Sequence, residues 1–286
     1  MGLNLNTANL MARTVKEQNL SGRCLTLGRQ RVPLTMQELV GVLVENGMAE
    51  IAENNSVRLT SEKQIATLSE LTESGGHLSL FLDHREKGFI SDGLFFRLIG
   101  FDEIRSLDVS DFEVADYLFD INQTGILDVI GEPFDFVVEF GTVEHVFHMP
   151  NALRNMFEAT KVGGYISLCT PANNAMNHGF YQISPTLYDD YFRANGFEII
   201  RMQVMRDTIR DGQIDDKEYE VWDYDPSDMG MDSPMDGKIY SAHALVKKTA
   251  ESTFDRVPQQ FEYARKWKAF GKDLASSSED PVKDLT

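Results

Sequence analysis

Runs of apolar residues and helical spacing divide the chain into alternating strands and helices. Phe134–Phe140 is a near-continuous apolar and aromatic run, typical of a strand buried on both faces of a parallel sheet. Residues 151–160 carry apolar side chains at helical spacing, and this predicts an amphipathic helix stopped by Gly163-Gly164. Residues 165–170 predict a second strand, which Pro171 closes because proline has no N–H to donate. One β-α-β unit is therefore expected here.

The same criteria predict further elements on both sides of this unit. Strands are expected at residues 22–30, 56–59, 103–108, 117–122, 197–206 and 238–247. Helices are expected at residues 6–19, 36–46, 60–76, 91–98, 185–195 and 254–270. Thr35 and Glu38 are spaced to form a capping box at the start of the second helix. The alternation of strands and helices predicts an α/β protein.

Two long stretches interrupt this alternation. Residues 33–88 lie between the first and second core strands and are rich enough in apolar residues to fold, so an inserted lid or cap is expected. Residues 207–237 are acidic, contain three large aromatic residues and are predicted to be a long loop that caps the site or binds a partner. A solvated acidic loop is the alternative interpretation.

Polar side chains follow the strands of the β-α-β unit at the points where those strands end. In an open parallel sheet, ligands bind outside the carboxyl ends of the strands. The residues that fall just past these ends are Glu139, Phe140, Gly141, Glu144, His145, Thr170, Asn173 and Asn174. A ligand site at this edge of the sheet is therefore expected.

The Glu144-His145 pair after one strand, and the Gly-Gly turn and proline around the next, resemble the class I S-adenosylmethionine-dependent methyltransferases at their fourth and fifth strands. The resemblance spans residues 23–248 and implies a doubly wound, mostly parallel seven-stranded sheet of Rossmann type, with an antiparallel last strand and an inserted helical lid. It implies S-adenosylmethionine as cofactor and a small polar molecule as substrate.

The resemblance also implies which residues hold the cofactor. Gly28 matches the first glycine of the family's glycine-rich turn, but Gln30 stands in place of the second and Thr26 in place of an acid. An ordinary strand-to-loop turn is an equally open interpretation of Gly28. Asp108 is placed to accept the ribose hydroxyls, or else merely to form a turn. The implied cofactor residues are Gly28, Arg29, Asp108, Val109, Asp120, Ile121, Glu139, Phe140 and Gly141.

Histidine, tyrosine and amide side chains supply the candidate chemistry. His145 is expected to act as a general base on the methyl acceptor, or else to orient its loop. The candidate catalytic residues are Glu144, His145, His178 and Tyr181, and the candidate substrate-binding residues are Asn173, Asn174, His178 and Tyr181. His145 and His148 lie at helical spacing, but the sequence places no third ligand beside them, so no metal is expected.

Composition limits the classes of partner. The net charge of −18 and the isoelectric point near 4.7 argue against nucleic-acid binding, which depends on Lys and Arg. No apolar run is long enough to span a membrane, and the first 20 residues are too polar for a signal peptide, so a cytoplasmic protein is expected. Cys24 and Cys169 are expected to be buried free thiols on strands two positions apart.

The expected organisation is an N-terminal helix at 1–20, a methyltransferase-like domain at 21–250, and a C-terminal helix with a disordered tail at 251–286. The first and last helices could build a homodimer. The predicted activity is methyl transfer to an oxygen or nitrogen atom. Two alternatives stay open, namely cleavage or cyclisation of S-adenosylmethionine, and a non-catalytic scaffold of the same fold.

Overall fold

The computed structural model of the chain describes residues 2–54, 56–210, 213–227 and 237–269. The strands within these ranges are β1 Gly22–Leu27, β2 Ala49–Ile51, β3 Val57–Leu59, β4 Phe101–Asp108, β5 Tyr117–Leu118, β6 Phe134–Phe140, β7 Thr160–Asn173, β8 Glu198–Arg210, β9 Gln213–Asp223 and β10 Ile239–Lys247. The helices are α1 Leu5–Glu17, α2 Met36–Glu45, α3 Glu62–Glu73, α4 Leu82–Glu86, α5 Asp92–Ile99, α6 Leu127–Ile130, α7 Met149–Ala159, α8 Pro185–Ala194 and α9 Phe261–Ala269.

The main sheet has the strand order β5-β4-β1-β6-β7-β10-β8-β9. The first five strands of this order, β5, β4, β1, β6 and β7, are parallel to one another. β10 runs antiparallel to both of its neighbours, β7 and β8. The predicted doubly wound sheet with an antiparallel last strand is therefore confirmed. It has eight strands in the part of the chain that the structure describes, because β9 extends the predicted seven.

Successive residues of the central strands point to opposite faces, and each face has its own core. Cys24, Phe136 and Val138 pack with residues of α1, α2 and α5. Leu25 and Val137 pack on the other face with residues of α7 and α8. This period of two is what a strand buried on both faces requires.

Local sequence signals set most helix starts. Thr35 and Glu38 form the predicted capping box of α2, with the Thr35 N–H donating to Glu38 Oε2 at 2.7 Å. Ser61 caps α3 and Ser91 caps α5, each accepting a backbone N–H through its hydroxyl. Gly100 follows α5 with a positive φ of 143°, a conformation that favours glycine.

The acidic stretch predicted as a loop at residues 207–237 contains a strand instead. β8 continues to Arg210, and β9 pairs with it in an antiparallel hairpin. β9 is an edge strand, where charged residues are favoured, and its many acids conceal the strand pattern in the sequence. Residues 211–212 and 228–236 of this stretch lie outside the described residues.

Several predicted boundaries are wrong, those of two strands of the parallel part of the sheet among them. β5 ends at Leu118 rather than at residue 122, so Asp120 and Ile121 lie in a loop. β7 begins at Thr160 and runs past Gly163-Gly164 and Pro171 to Asn173. Pro171 is accommodated because it lies beside a register shift in the pairing with β10, and a proline is tolerated at such an irregularity.

The last helix begins at Phe261 and not at residue 254, because Pro258 disfavours a helical residue before it. No residue of α9 is buried, so the apolar side predicted for this helix is not packed into a core of the described chain. The predicted disordered tail lies outside the described residues.

The predicted cap at 33–88 contains α2, the β2–β3 hairpin, α3 and α4. The sequence indicated β3 but missed its partner β2. Both cysteines are free and buried, as predicted, with β6 between their strands. No helix among the described residues is both long and apolar enough to cross a membrane. The domain boundaries stay a prediction.

Candidate functional site

A cavity of about 850 Å³ opens at the carboxyl ends of β1, β4 and β6. Ligand pockets of small molecules typically measure about 300–1,000 Å³. Nine of the predicted site residues line it: Gly28, Arg29, Asp108, Val109, Asp120, Ile121, Phe140, Gly141 and His145. The position expected for a ligand site, outside the strand ends, is therefore where the cavity lies.

The turn after β1 is built without the second glycine of the family motif. Gly28 has a φ of +71°, and a Cβ there would come within 2.9 Å of Thr142 Oγ1, so glycine is required. Gln30 is buried and folds back, donating from Nε2 to the Leu27 carbonyl at 3.2 Å and to the Gly28 carbonyl at 3.3 Å. The side-chain amide of Gln30 thus holds the backbone of the turn in place through these two hydrogen bonds.

Arg29 lines the cavity with its guanidinium already engaged. It forms an ion pair with Asp92 at 3.2 Å and donates to the Val114 carbonyl at 2.8 Å. A third partner, Asp116, lies 3.4 Å away. Arg29 therefore fastens the start of α5 and the loop after β4 to the β1 turn, and it shapes the cavity wall.

Two of the carboxylates predicted to hold the cofactor lie at the end of β4 and in the loop after β5. Asp108 Oδ1 accepts the Ser110 N–H at 3.3 Å. This distance is long for a hydrogen bond, so the contact gives little support to the alternative that Asp108 serves only to form a turn. Asp120 Oδ1 accepts the backbone N–H of Asn122 at 2.9 Å and its side-chain amide at 2.8 Å. Both residues line the same cavity.

Asn155 on α7 is a positioning residue that the sequence did not reveal. It is fully buried, and its Nδ2 donates to the Ile121 carbonyl at 3.1 Å and to the Gln123 carbonyl at 2.7 Å. These bonds fix the loop that carries Asp120 and Ile121 against the helix. An asparagine on a helix interior face was the available signal, since polar residues are rare there.

Glu139 does not line the cavity, and its predicted place beside the cofactor stays a prediction. Its side chain is fully buried, and Oε1 accepts the N–H groups of Gly141, Thr142 and Val143 at 3.1, 2.6 and 3.0 Å. Burial raises the pKa of Glu139 to about 8, and the nearby charge of Glu144 adds to this. Glu139 braces the turn after β6.

Glu144, His145 and His178 form a cluster, of which His145 lines the cavity. Glu144 and His145 lie in a 3₁₀ turn at Val143–His145, and His178 comes from the loop after β7. Glu144 Oε1 lies 3.8 Å from His145 Nε2 and 3.5 Å from His178 Nε2. Burial lowers the pKa of His145 below its usual range, while the Glu144 carboxylate acts in the opposite direction.

The imidazole that lies near His145 is that of His178 and not that of His148. The 3₁₀ turn ends before His148, so the helical spacing does not hold, and the side chain of His148 packs against Phe147 instead. His178 takes its place, with its ring centroid 5.1 Å from that of His145.

None of the predicted residues at the end of β7 and in the loop after it lines the cavity, although His178 lies beside Glu144. Asn174 donates from Nδ2 to the Lys238 carbonyl at 2.7 Å, and Tyr181 Oη donates to the Phe147 carbonyl at 2.8 Å. Asn173, Asn174 and Tyr181 do not line the cavity. The predicted substrate contacts of these residues stay a prediction.

Two groups of lining residues were not predicted. Gly2, Asn4 and Thr7 reach the cavity because Leu3 N–H donates to the Arg31 carbonyl at 2.8 Å, which ties the start of the chain to the β1 turn. The other group lines the cavity from the ends of β7, β8 and β10, and consists of Cys169, Met205, Asp207, Ile239 and Ser241. Strand pairing that is distant in sequence brings this group together.

The strand order and the place of the cavity decide the fold. Six of the eight strands lie in the order of a doubly wound sheet, β5-β4-β1-β6-β7-β8, whose direction reverses at β1. The antiparallel β10 lies between β7 and β8. The fold is that of the class I S-adenosylmethionine-dependent methyltransferases. The methyltransferase fold thus carries its cavity at the point where the strand order reverses, as ligand sites of such sheets do.

No protein-family model matches the chain, and no curated protein sequence matches it. The chain is similar to the solved structure of TehB from Haemophilus influenzae, with 15% identity, a TM-score of 0.39, and coverage of 74% of this chain and 67% of that one. It is also similar to the N-methyltransferase NodS from Bradyrhizobium japonicum, with 15% identity, a TM-score of 0.34, and coverage of 66% and 95%.

A third similar structure is an S-adenosylmethionine-dependent methyltransferase from Thermotoga maritima, described as a possible histamine N-methyltransferase. It shares 13% identity, a TM-score of 0.33, and coverage of 84% of this chain and 90% of that one. At these identities and TM-scores, the likenesses say nothing of what this chain binds, and the fold assignment depends on the strand order.

Proposed function

We propose that the protein transfers a methyl group from S-adenosylmethionine to an oxygen or nitrogen of a small polar molecule. The observation that carries the proposal is that one cavity has Asp108 and Asp120 on one side and His145 on the other. An acceptor and the cofactor would therefore share one cavity. Such proximity and alignment are most of what methyl transfer needs from a protein.

The residues of the cavity fit the cofactor. Asp108 would accept hydrogen bonds from the ribose hydroxyls, Asp120 would accept one from the adenine amino group, and Ile121 would offer an apolar surface to the ring. The methionine part would lie against the turns at Gly28 and Gly141, both of which line the cavity. The cofactor supplies an already activated methyl group.

The acceptor side offers a base and a means to stabilise its charge. The lowered pKa of His145 keeps its imidazole neutral near neutral pH, so it can accept a proton from an acceptor hydroxyl or amine. The Glu144 carboxylate lies 3.8 Å from His145 Nε2 and 3.5 Å from His178 Nε2, close enough to stabilise an imidazolium at either position. His178 is the second candidate base.

The charge of the chain supports a small molecule rather than a nucleic acid as acceptor. With 45 acidic and 27 basic residues, the net charge of −18 would repel a phosphate backbone. We expect a cytoplasmic protein. A homodimer through the first and last helices stays a prediction.

Product analysis tests this proposal. The protein is incubated with S-adenosylmethionine and a mixture of small amines and alcohols, and the nucleoside products are measured by mass spectrometry. We expect S-adenosylhomocysteine together with a methylated acceptor. His145→Gln should slow its formation by about 10²–10⁴-fold, since this is the usual contribution of a general base. His148→Gln, which removes an exposed imidazole outside the cavity, should leave the rate unchanged.

Other products would contradict the proposal. Methylthioadenosine without a methylated acceptor would mean that the protein cleaves the cofactor. Absence of any product, together with absence of nucleotide binding, would mean that the fold serves as a scaffold.

A further inference from the structure

Glu144 is a buried carboxylate without a hydrogen-bond donor. Its side chain is fully buried, and neither oxygen has a hydrogen-bond partner among the described residues. A desolvated carboxylate is costly unless it is paired or coordinates a metal ion. The nearest polar atoms are the Nε2 atoms of His145 and His178, at 3.8 and 3.5 Å. Both distances are too long for hydrogen bonds and suit a shared ligand between the three side chains.

We propose that Glu144, His145 and His178 bind a divalent transition-metal ion next to the cavity. Two ligand atoms that are each about 2.1 Å from a tetrahedral zinc ion lie about 3.4 Å apart. The distances from Glu144 Oε1 to His178 Nε2 and His145 Nε2 differ from this value by a few tenths of an ångström. One potential ligand atom from each of the three residues lies within 4.8 Å of the other two.

The backbone around the cluster is built to hold His178 against Glu144. The Glu144 carbonyl accepts two N–H groups from the loop after β7, that of Phe180 at 2.8 Å and that of Tyr181 at 3.1 Å. Gly179 lies so close that a Cβ there would be 2.7 Å from the same carbonyl oxygen. The two segments are thus fastened side by side although they are distant in the sequence, which is the preorganisation that a metal site requires.

The ligand set indicates the class of ion and its use. Two imidazoles and one carboxylate suit zinc and other divalent first-row metals, and three protein ligands leave a coordination position open. Of the three residues, His145 lines the cavity, so an ion bound by it would lie next to the cavity. An ion there would polarise an oxygen or nitrogen of a bound molecule, and the two histidines would then act as ligands rather than as bases.

The inference goes beyond the proposed methyl transfer and does not depend on it. Metal binding requires the three side chains alone, whereas cofactor binding is assigned to Asp108 and Asp120. A protein that binds zinc and no S-adenosylmethionine would support the metal site and contradict the proposed function. A protein that binds S-adenosylmethionine and no zinc would support cofactor binding and contradict the metal site.

Calorimetric titration of the chelator-treated full-length chain with Zn²⁺ tests the inference. We expect one ion per chain, with a Kd of about 1 μM or tighter. Removing a group that hydrogen-bonds a metal ligand typically lowers metal affinity by roughly 10–100-fold. Glu144→Gln and His178→Ala remove ligands themselves, so each should lower the affinity for Zn²⁺ by at least about 100-fold. His148→Ala should bind as the wild type does, because His148 lies outside the cluster.

Two further measurements keep the test decisive. Circular dichroism of each metal-free variant shows whether it folds, and His178→Ala, at an exposed loop position, provides the test if Glu144→Gln does not fold. Titration with Co²⁺ should give the visible absorption of a four-coordinate ion in the wild type and not in His178→Ala. No binding of Zn²⁺ or Co²⁺ by the wild type, or equal binding by a folded ligand variant, would overturn the inference.

Discussion

His243 is a buried imidazole at the centre of β10. It is 1% exposed, its Nε2 lies 3.3 Å from Ser167 Oγ, and the edge of its ring faces Phe140. Burial lowers the pKa of His243 to about 3, and the charge of Arg201 lowers it further. The folded protein therefore keeps this imidazole neutral at pH values where an unfolded chain would protonate it.

This burial makes stability depend on pH in a defined direction. Between the ordinary histidine pKa of about 6.5 and the folded value of about 3, the unfolded state binds the proton and the folded state does not. The free energy of unfolding therefore falls as the pH falls through this window, by up to about 1.4 kcal/mol per pH unit.

We expect His243→Gln to remove this contribution. The free energy of unfolding of the wild type, minus that of the variant, should decrease by about 2 kcal/mol when the pH is lowered from 7 to 5. Urea unfolding of both proteins at several pH values measures it, and the subtraction cancels the carboxylates common to both. A difference that does not change with pH would contradict the assigned burial.

The residues that sequence reasoning located well are those whose role depends on where a strand ends. Asp108 lies at the end of β4, and Gly28 directly follows β1, so their places in the cavity followed from the strand pattern. The role of Glu139 could not be predicted, because it depends on three N–H groups that turn back toward the carboxylate. Asn174 and Tyr181 similarly have partners on distant segments.

Among the elements, the loop after β7 and the 3₁₀ turn of Glu144 act as one unit. Gly179 is the point of closest approach, with space for no side chain between the loop and the turn. The packing explains how residues from two separate loops form one cluster. It also makes the loop sensitive to a single added methyl group.

We expect Gly179→Ala to lower the free energy of unfolding by about 1–3 kcal/mol, because the methyl group would push the loop from the turn. Gly41→Ala is the matched control. Gly41 lies in α2 with no atom within 4 Å of an added Cβ, and alanine there should raise stability by roughly 0.5–1 kcal/mol. Urea unfolding compares the two, and a Gly179→Ala protein as stable as the wild type would contradict this packing.

Local signals predicted elements well where caps and apolar periodicity agree, as at Thr35 of α2 and along β6. They failed where pairing overrides local preference. β7 continues past Gly163-Gly164 because β6 pairs with it at Thr160 and again from Tyr165, and it continues past Pro171 because β10 pairs with it there. β9 was missed because its acidic side chains lie on an edge strand.

At the scale of the whole molecule, the start of the chain is part of the core. Leu3 is fully buried, and α1 contributes Leu10, Met11 and Val15 to the same core as α2 and α5. Gly2 pairs with Arg31, so that the first residues described form a wall of the cavity. The N-terminal segment therefore stabilises the fold and shapes the site together.

We expect Leu3→Ala to lower the free energy of unfolding by about 2–5 kcal/mol, the usual cost of truncating a buried leucine. Leu82→Ala, at a leucine of α4 that is 70% exposed, is the matched control and should change it by no more than about 0.5 kcal/mol. Urea unfolding measures both. Equal effects of the two substitutions would mean that the N-terminal segment does not dock as described.

The central claim is that the cavity at the carboxyl ends of β1, β4 and β6 binds S-adenosylmethionine. Calorimetric titration with S-adenosylmethionine and S-adenosylhomocysteine, repeated on two variants, tests it most directly. We expect a Kd of about 1 μM, weakened by about 10–100-fold in Asp108→Ala, which loses hydrogen bonds to a charged group. Asp111→Ala, at an exposed acid of the same loop outside the cavity, should bind as the wild type does. No binding by the wild type, or equal binding by Asp108→Ala, would contradict the account.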